Sequence, residues 1–331
     1  MSHTQTTRGH SATLTSSSET IKPRFRLTQF WSWAAGPAWL LAALVTWKWP
    51  DADDFPATQQ FAIFLLVIGL VLVALGATGR LKDRAPWALV LGVGFGAWEL
   101  VQAKLLLLPR PFFGTPQDLL DVFLTDWKRL GDSLVHSLLL LAGGYIPGSI
   151  LGIIVGLSLG RSHHVRYWVR PVMRVIGPLP PVALLPLAFV VIPSTRWAGE
   201  ALMALAAGFP VAVLTWSGVS AVDPAYYDVA RTMGAKNRFL VLRIALPAAT
   251  PQIFVGLFMG LGASFAMLVV AEMLGVKSGL GFYMQWAQGW AAYPNMYAAL
   301  FVMSLMCTTL MTVLFKIRDH LLKWQKDGLK W

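Results

Sequence analysis

Asp223 to Pro247 is the stretch of this 331-residue chain whose residue types and spacing point to a task. Asp223 is a good helix N-cap, Pro224 suits the first helical position, and Gly234 is a natural left-handed stop. The helix predicted between them carries Tyr226, Val229, Ala230 and Met233 at helical spacing, as one apolar stripe. A second helical piece follows, with Lys236, Arg238 and Arg243 among Phe239 to Leu242, and it is expected to end near Leu246 and Pro247, with Pro251 just beyond. Such a capped helix either lays its stripe into a groove on a partner protein or rests on lipid headgroups. The rest of the chain offers little covalent chemistry. His136, His163, His164 and His320 form no metal-ligand spacing on one helix, and a single cysteine, Cys307, excludes a disulfide framework or thiolate metal site. No Gly-x-x-x-x-Gly-Lys-Ser/Thr loop occurs, so a phosphate cradle would have to come from another chain.

The elements that must position this loop are membrane helices. The chain is 56% hydrophobic and 13% charged, where a soluble domain carries about 25% charged residues. Apolar runs near the roughly 20 residues needed to cross a bilayer recur throughout, which predicts an all-α, polytopic helical membrane protein. Eight spans are expected, at about 31–47, 61–78, 87–108, 135–160, 172–192, 197–219, 250–274 and 297–315. The net charge of +11 sits mainly in the tails and alternate short loops, the positive-inside pattern of membrane orientation, and it calls for no nucleic acid. Asp51 to Asp54 then falls outside, and Arg80 to Arg84, Arg161 to Arg166 and both termini fall inside. Residues 1–28 read as a disordered cytoplasmic tail and 316–331 as a second one, while 109–133 reads as an external surface helix. Pro178, Pro180, Pro181 and Pro186 should kink or break the fifth span.

Gly144, Gly148, Gly152, Gly156 and Gly160 recur every four residues, and Gly256, Gly260 and Ser264 repeat the interval. Small residues at that spacing let helix backbones approach closely, either within the chain or at a subunit interface or moving gate. Ser149, Thr215, Ser217, Ser264 and Glu272 are the polar groups inside spans where a pathway or gate is sought, with backbone satisfaction the competing use of each. Glu99 and Lys104 are placed to pair with each other or to snorkel.

The order Asp228-Val229-Ala230, Gly234, then Ile244-Ala245-Leu246-Pro247 resembles the coupling-loop signature of ABC importer permeases, Glu-Ala-Ala, Gly, Ile-x-Leu-Pro, with Asp for Glu and Val for the first Ala. Leu108 to Pro111, Phe209-Pro210, Trp216 to Val219, and Ala271-Glu272 followed by Gly279-Leu280-Gly281 are similar to the permeases of nitrate, sulfonate and taurine importers. The resemblance covers about 86–315 and implies a type I ABC importer permease fold, with 29–85 as a two-helix amino-terminal addition and 221–247 as the coupling loop.

The family implies more. Pro224, Tyr226, Asp228, Val229, Ala230, Met233, Gly234, Ile244, Leu246 and Pro247 become candidate ATPase-coupling residues. The expected partners are a second permease copy, as a homodimer, two cytoplasmic ATPase subunits that hold ATP and Mg, an external solute-binding protein, and membrane lipid. The chain itself is expected to hold no cofactor or metal and to catalyse nothing, working in a bacterial cytoplasmic membrane by alternating access on a small anion or zwitterion. The rival reading is a secondary transporter driven by an ion gradient; it calls for buried ionisable groups and paired inverted halves, of which the sequence shows few.

Overall fold

The computed structural model describes residues 24–81 and 84–323. Most of the tail expected over 1–28, and residues from 324 on, lie outside the described residues, but 24–28 are already helical. The chain divides into two compact units, one of residues 1–54 and 58–105, the other of 55–57 and 106–331.

The first unit is built from α1 (Arg24–Lys48), α2 (Thr58–Ala77) and α3 (Ala85–Glu99), which a π-helical turn extends to Lys104. Glycines set the spacing. A Cβ at Gly69 would lie 2.7 Å from the Leu40 side chain, and one at Gly92 would lie 2.5 Å from the Trp39 ring, whose Nε1 donates to the Ala88 carbonyl at 2.7 Å. Lys104 is buried at the end of the unit, where its Nζ reaches Asp51 Oδ1 and the Trp49 carbonyl, each at 2.6 Å, with Glu99 3.7 Å away. Glu99 and Lys104 therefore pair, as expected, but the closer carboxylate is Asp51, which the sequence had placed in an external loop. The network ties α1, the loop and the π-helical end of α3 together, and α3 packs along α1.

The second unit contains α4 (Pro116–Thr125), α5 (Trp127–Arg161), α6 (His163–Ile176), α7 (Leu185–Val191), α8 (Thr195–Ser220), α9 (Pro224–Thr232), a single turn α10 (Asn237–Phe239), α11 (Leu246–Leu274), α12 (Leu280–Gly289) and α13 (Tyr293–Leu321). The stretch expected as one surface helix is two elements. Thr115 and Asp118 form a capping box that starts α4, and Lys128, Arg129 and Asp132 belong to the first turns of α5.

Among the described residues, five helices are long and apolar enough to cross a membrane: 58–77, 127–161, 195–220, 237–274 and 293–321. A sixth crossing arises if 163–176 and 181–191, bent by 86°, count as one span. That bent pair covers the expected fifth span, and the bend falls among its prolines. The other two of the eight expected spans are α1, long enough but interrupted by Trp, Gly and Pro, and α3, which stops as a regular helix after 15 residues. The expected end of the second helical piece near Pro247 also needs correction. The chain passes from α10 through a π-helical segment, Leu240–Ala245, into α11 without a break. Pro247 has no N–H to return to the preceding turn, and the wider π turn absorbs that loss. At the other terminus α13 runs on to Leu321, so the expected tail is helical over 316–321.

The core of this unit is α8 held between α5 and α11, and the glycine rows are the contact. On α5, a Cβ at Gly144 would come 2.5 Å from Met203 Cβ, at Gly148 2.5 Å from Ala204 Cα, at Gly152 2.6 Å from the Gly208 carbonyl, and at Gly156 2.5 Å from Thr215 Cβ, while Gly160 abuts Val219. On α11, Gly256 would come 2.9 Å from Val211 Cα and Gly260 3.0 Å from the Ala207 carbonyl. Backbone meets backbone along both seams, the packing that membrane helices use where lipid gives them no hydrophobic reason to associate.

Candidate functional site

The loop from Asp223 to Pro247 is assembled from local signals and long-range braces. The Asp223 carboxylate accepts from the Ala225 N–H at 2.9 Å and Pro224 opens α9. At the other end Gly234 adopts φ +80°, its N–H bonds to Arg231 O at 2.9 Å and the Ala235 N–H to Ala230 O at 3.0 Å, a Schellman stop. Arg161, at the last turn of α5, braces the loop by donating to Asn237 Oδ1 at 3.0 Å and sitting 5.3 Å over the Tyr227 ring. Tyr227 packs on a small core of Val219, Ala245, Ala249 and Ile253. Burial raises the Tyr227 phenol above its ordinary value, with Arg161 pulling the other way.

The apolar stripe divides accordingly. Ala230 is buried against the chain, whereas Tyr226, Val229 and Met233 are 64%, 61% and 82% exposed. Asp228 is exposed and pairs with Arg231 at 3.2 Å. Ile244, Leu246 and Pro247 lie behind α9, on the π segment and the first turn of α11, with Leu246 against the small core. Beside Met233 opens a groove of about 650 Å³ whose walls include Phe239, Leu242, Lys236, Arg238 and Arg243. Arg161, Tyr227 and Asn237 were not singled out from the sequence; Tyr227, three residues before Ala230, carried the signal of a second, inward face.

At the opposite end of the bundle, Glu272 is a buried structural acceptor. Its Oε1 accepts from Ser137 Oγ at 2.7 Å and its Oε2 from the Gly281 N–H at 2.8 Å, while Ser137 Oγ accepts from the Leu280 N–H at 2.8 Å. The first N–H groups of α12 are thus held to α5 and α11 by one carboxylate at a helix N-terminus. Gly279 precedes them at φ +98° with its Cα against Glu272, where no side chain fits. Nearby, Tyr283 donates to Asp126 Oδ2 at 2.6 Å and accepts from Asn295 Nδ2 at 2.7 Å. Burial pushes the Tyr283 phenol up to about 12, helped by Asp126, so it stays a donor at any physiological pH.

The pathway residues sought among hydroxyls are placed differently. Ser149, Thr215 and Ser264 are buried between packed helices, with Ser264 donating to the Met203 carbonyl at 3.0 Å, and Ser217 is exposed. None of them, nor Glu272, lines the cavity of about 250 Å³ around Gly177, Pro181, Phe209, Pro210 and Met267, or the adjoining groove of about 450 Å³ along Gly148, Gly152, Met173 and Phe209. Both hollows are apolar and meet at the break between α6 and α7.

Residues 148–327, which hold most of the glycine seam, the braced loop and Glu272, match the family described as the binding-protein-dependent transport system inner membrane component. The chain belongs to that family. It is similar to a probable ABC transporter permease protein of Brucella abortus, 31% identical over 75% of this chain and 98% of the relative. It is also similar to the taurine transport system permease protein of Escherichia coli, 30% identical over 75% of this chain and 95% of that one. A nitrate import permease protein of Synechococcus elongatus is 26% identical over 65% of this chain and 78% of its own length. The chain is therefore a membrane-embedded transport permease component, all-α and of the ABC importer family, and not an enzyme.

Proposed function

We propose that this permease imports a small anion or zwitterion of the nitrate, sulfonate and taurine class across a bacterial inner membrane. Relatives named for nitrate and taurine transport support the class of cargo. In this reading two copies form the pathway, two ATPase subunits carrying ATP and Mg sit on the cytoplasmic side, and a binding protein delivers solute from outside, with lipid around the helices. The positive-inside pattern puts the Arg161 end of α5, α9 and both termini in the cytoplasm. In this reading the region 29–85 is an amino-terminal two-helix addition, outside residues 148–327 that match the family.

The observation that carries the reading is the outward face of α9. Tyr226, Val229 and Met233 are exposed together on a helix whose back is fixed by Ala230, Tyr227 and Arg161. An exposed apolar anchor on a rigid mount suits a cleft in a partner, and it would carry closure of the ATPase pair into α5, α8 and α11, turning the cavity from inward-open to outward-open. Replacing Tyr226 and Met233 together by Asp is expected to lower co-purification of the ATPase at least tenfold, while the permease alone keeps its thermal midpoint. Undiminished co-purification by the double variant would sink the proposal.

A further inference from the structure

Arg166, Arg170 and Arg174 stand four residues apart on α6, so they form one stripe about 12 Å long. Their neighbours fix its course. Arg166 Nε donates to Leu159 O at 3.1 Å and its Nη2 to Gly160 O at 3.2 Å, at the last turn of α5. The Arg170 guanidinium lies 5.8 Å from the Trp216 ring near the end of α8. One step further, Met173 lines the groove beside Gly148 and Gly152, and Gly177 abuts the Phe209 ring. The row thus runs from the Arg161 end of the bundle toward the hollow at the broken span and ends at Arg174, three residues before Gly177 at the rim of that hollow.

Among the described residues no carboxylate pairs with it. No Asp or Glu occurs between Asp132 and Glu200, Glu200 is paired with Arg196 at 3.0 Å, and Glu272 is committed at the far end of α11. Arg174 is exposed and has no hydrogen bond or ion pair among the described residues. With His163 and Tyr167 the three arginines line an open groove of about 500 Å³. The adjoining face of α6, with Trp168, Val172 and Val175 exposed, is suited to lipid or the second copy. All three arginines line the same open groove, and cations at membrane depth face water or the bundle interior rather than hydrocarbon, so the arginine face of α6 borders a watery route.

We propose that Arg166, Arg170 and Arg174 form a cationic rail along the inner half of the pathway, over which a small anion passes from the Phe209 hollow to the cytoplasm. The inference rests on the anion reading and orientation given above. Steps of about 6 Å are shorter than the roughly 8 Å over which physiological salt screens charge, so neighbouring sites hand the anion on. Arg170 and Arg174 are exposed and so open enough to release it, as conduction through serial weak sites requires.

The test uses the complete importer in liposomes, with uptake of labelled nitrate and of methanesulfonate. Arg174→Gln is expected to cut uptake tenfold or more, while ATP hydrolysis stimulated by loaded binding protein stays within twofold, and Arg174→Lys should restore at least half. Normal uptake by Arg174→Gln overturns the rail alone; no anion uptake by the unaltered importer overturns the anion reading and the rail with it. A joint fall of uptake and ATP hydrolysis that Lys does not rescue marks a structural role and overturns the rail. A defect present in liposomes with anionic lipid that vanishes in liposomes of phosphatidylcholine alone assigns the row to anionic lipid headgroups and overturns it too. Independently, Arg174→Cys in a Cys307→Ser background should react with a charged, membrane-impermeant thiol reagent from the inside; an unreactive thiol contradicts a watery route.

Discussion

Gly148→Val is expected to leave little folded protein in the membrane. A Cβ at Gly148 would sit 2.5 Å from Ala204 Cα, with the Ala204 carbonyl closer still, so it meets backbone and not the yielding end of a side chain. Relief requires α5 and α8 to separate, which opens the contacts of Gly144, Gly152 and Gly156 along the same seam. Overpacking of a tight core costs about 1–3 kcal/mol and occasionally more; displacement of a helix against backbone belongs at the upper end. Gly131 lies on the same helix with nothing within 4 Å of an added Cβ, so Gly131→Ala should be neutral. The yield of monodisperse protein and its thermal midpoint in detergent check both. A Gly148→Val protein as stable as Gly131→Ala would refute the account of the seam.

Glu272→Ala is the second large effect. The change strands the Ser137 hydroxyl and the Gly281 N–H in a buried site, at about 1–3 kcal/mol for each unsatisfied group. The start of α12 should loosen, seen as faster amide exchange over 279–283 and a lower thermal midpoint. Glu272→Gln behaves differently. Its amide oxygen can accept from Gly281 and its NH2 can donate to Ser137, so it should lose less than half as much stability and retain transport. A Glu272→Gln protein that is stable yet transports nothing would show that the charge itself acts in the cycle, and the clamp description would then be incomplete.

What the sequence made legible was local or periodic. The Asp223 cap and the Gly234 stop bracket α9 because each is decided by a residue's own backbone preferences. The four-residue glycine repeat, and the prolines that break α6 from α7, need no distant partner to be noticed. What was hidden depended on contacts far along the chain. Glu272 meets Ser137 across 135 residues, and Arg161 meets Asn237 across 76. Pro247 looked like a helix end because a proline ordinarily is one, and the π turn before it has no sequence signature. The hollow at Phe209 was not legible in the sequence, since burial in a seam and exposure to a cavity look alike in composition. The arginine row had a visible signal, a four-residue spacing, but its first member, Arg166, was read as part of a loop before the fifth span.

The central claim is that this chain moves solute with energy supplied by partner subunits bound at α9. Its most direct test is uptake of a labelled small anion into liposomes holding this permease, with and without its ATPase and binding protein, with ATP or with an imposed ion gradient. The account predicts uptake when ATPase, binding protein and ATP are all present, and none from the permease alone under any gradient. Uptake by the permease alone, driven by an ion gradient without ATP, would contradict it.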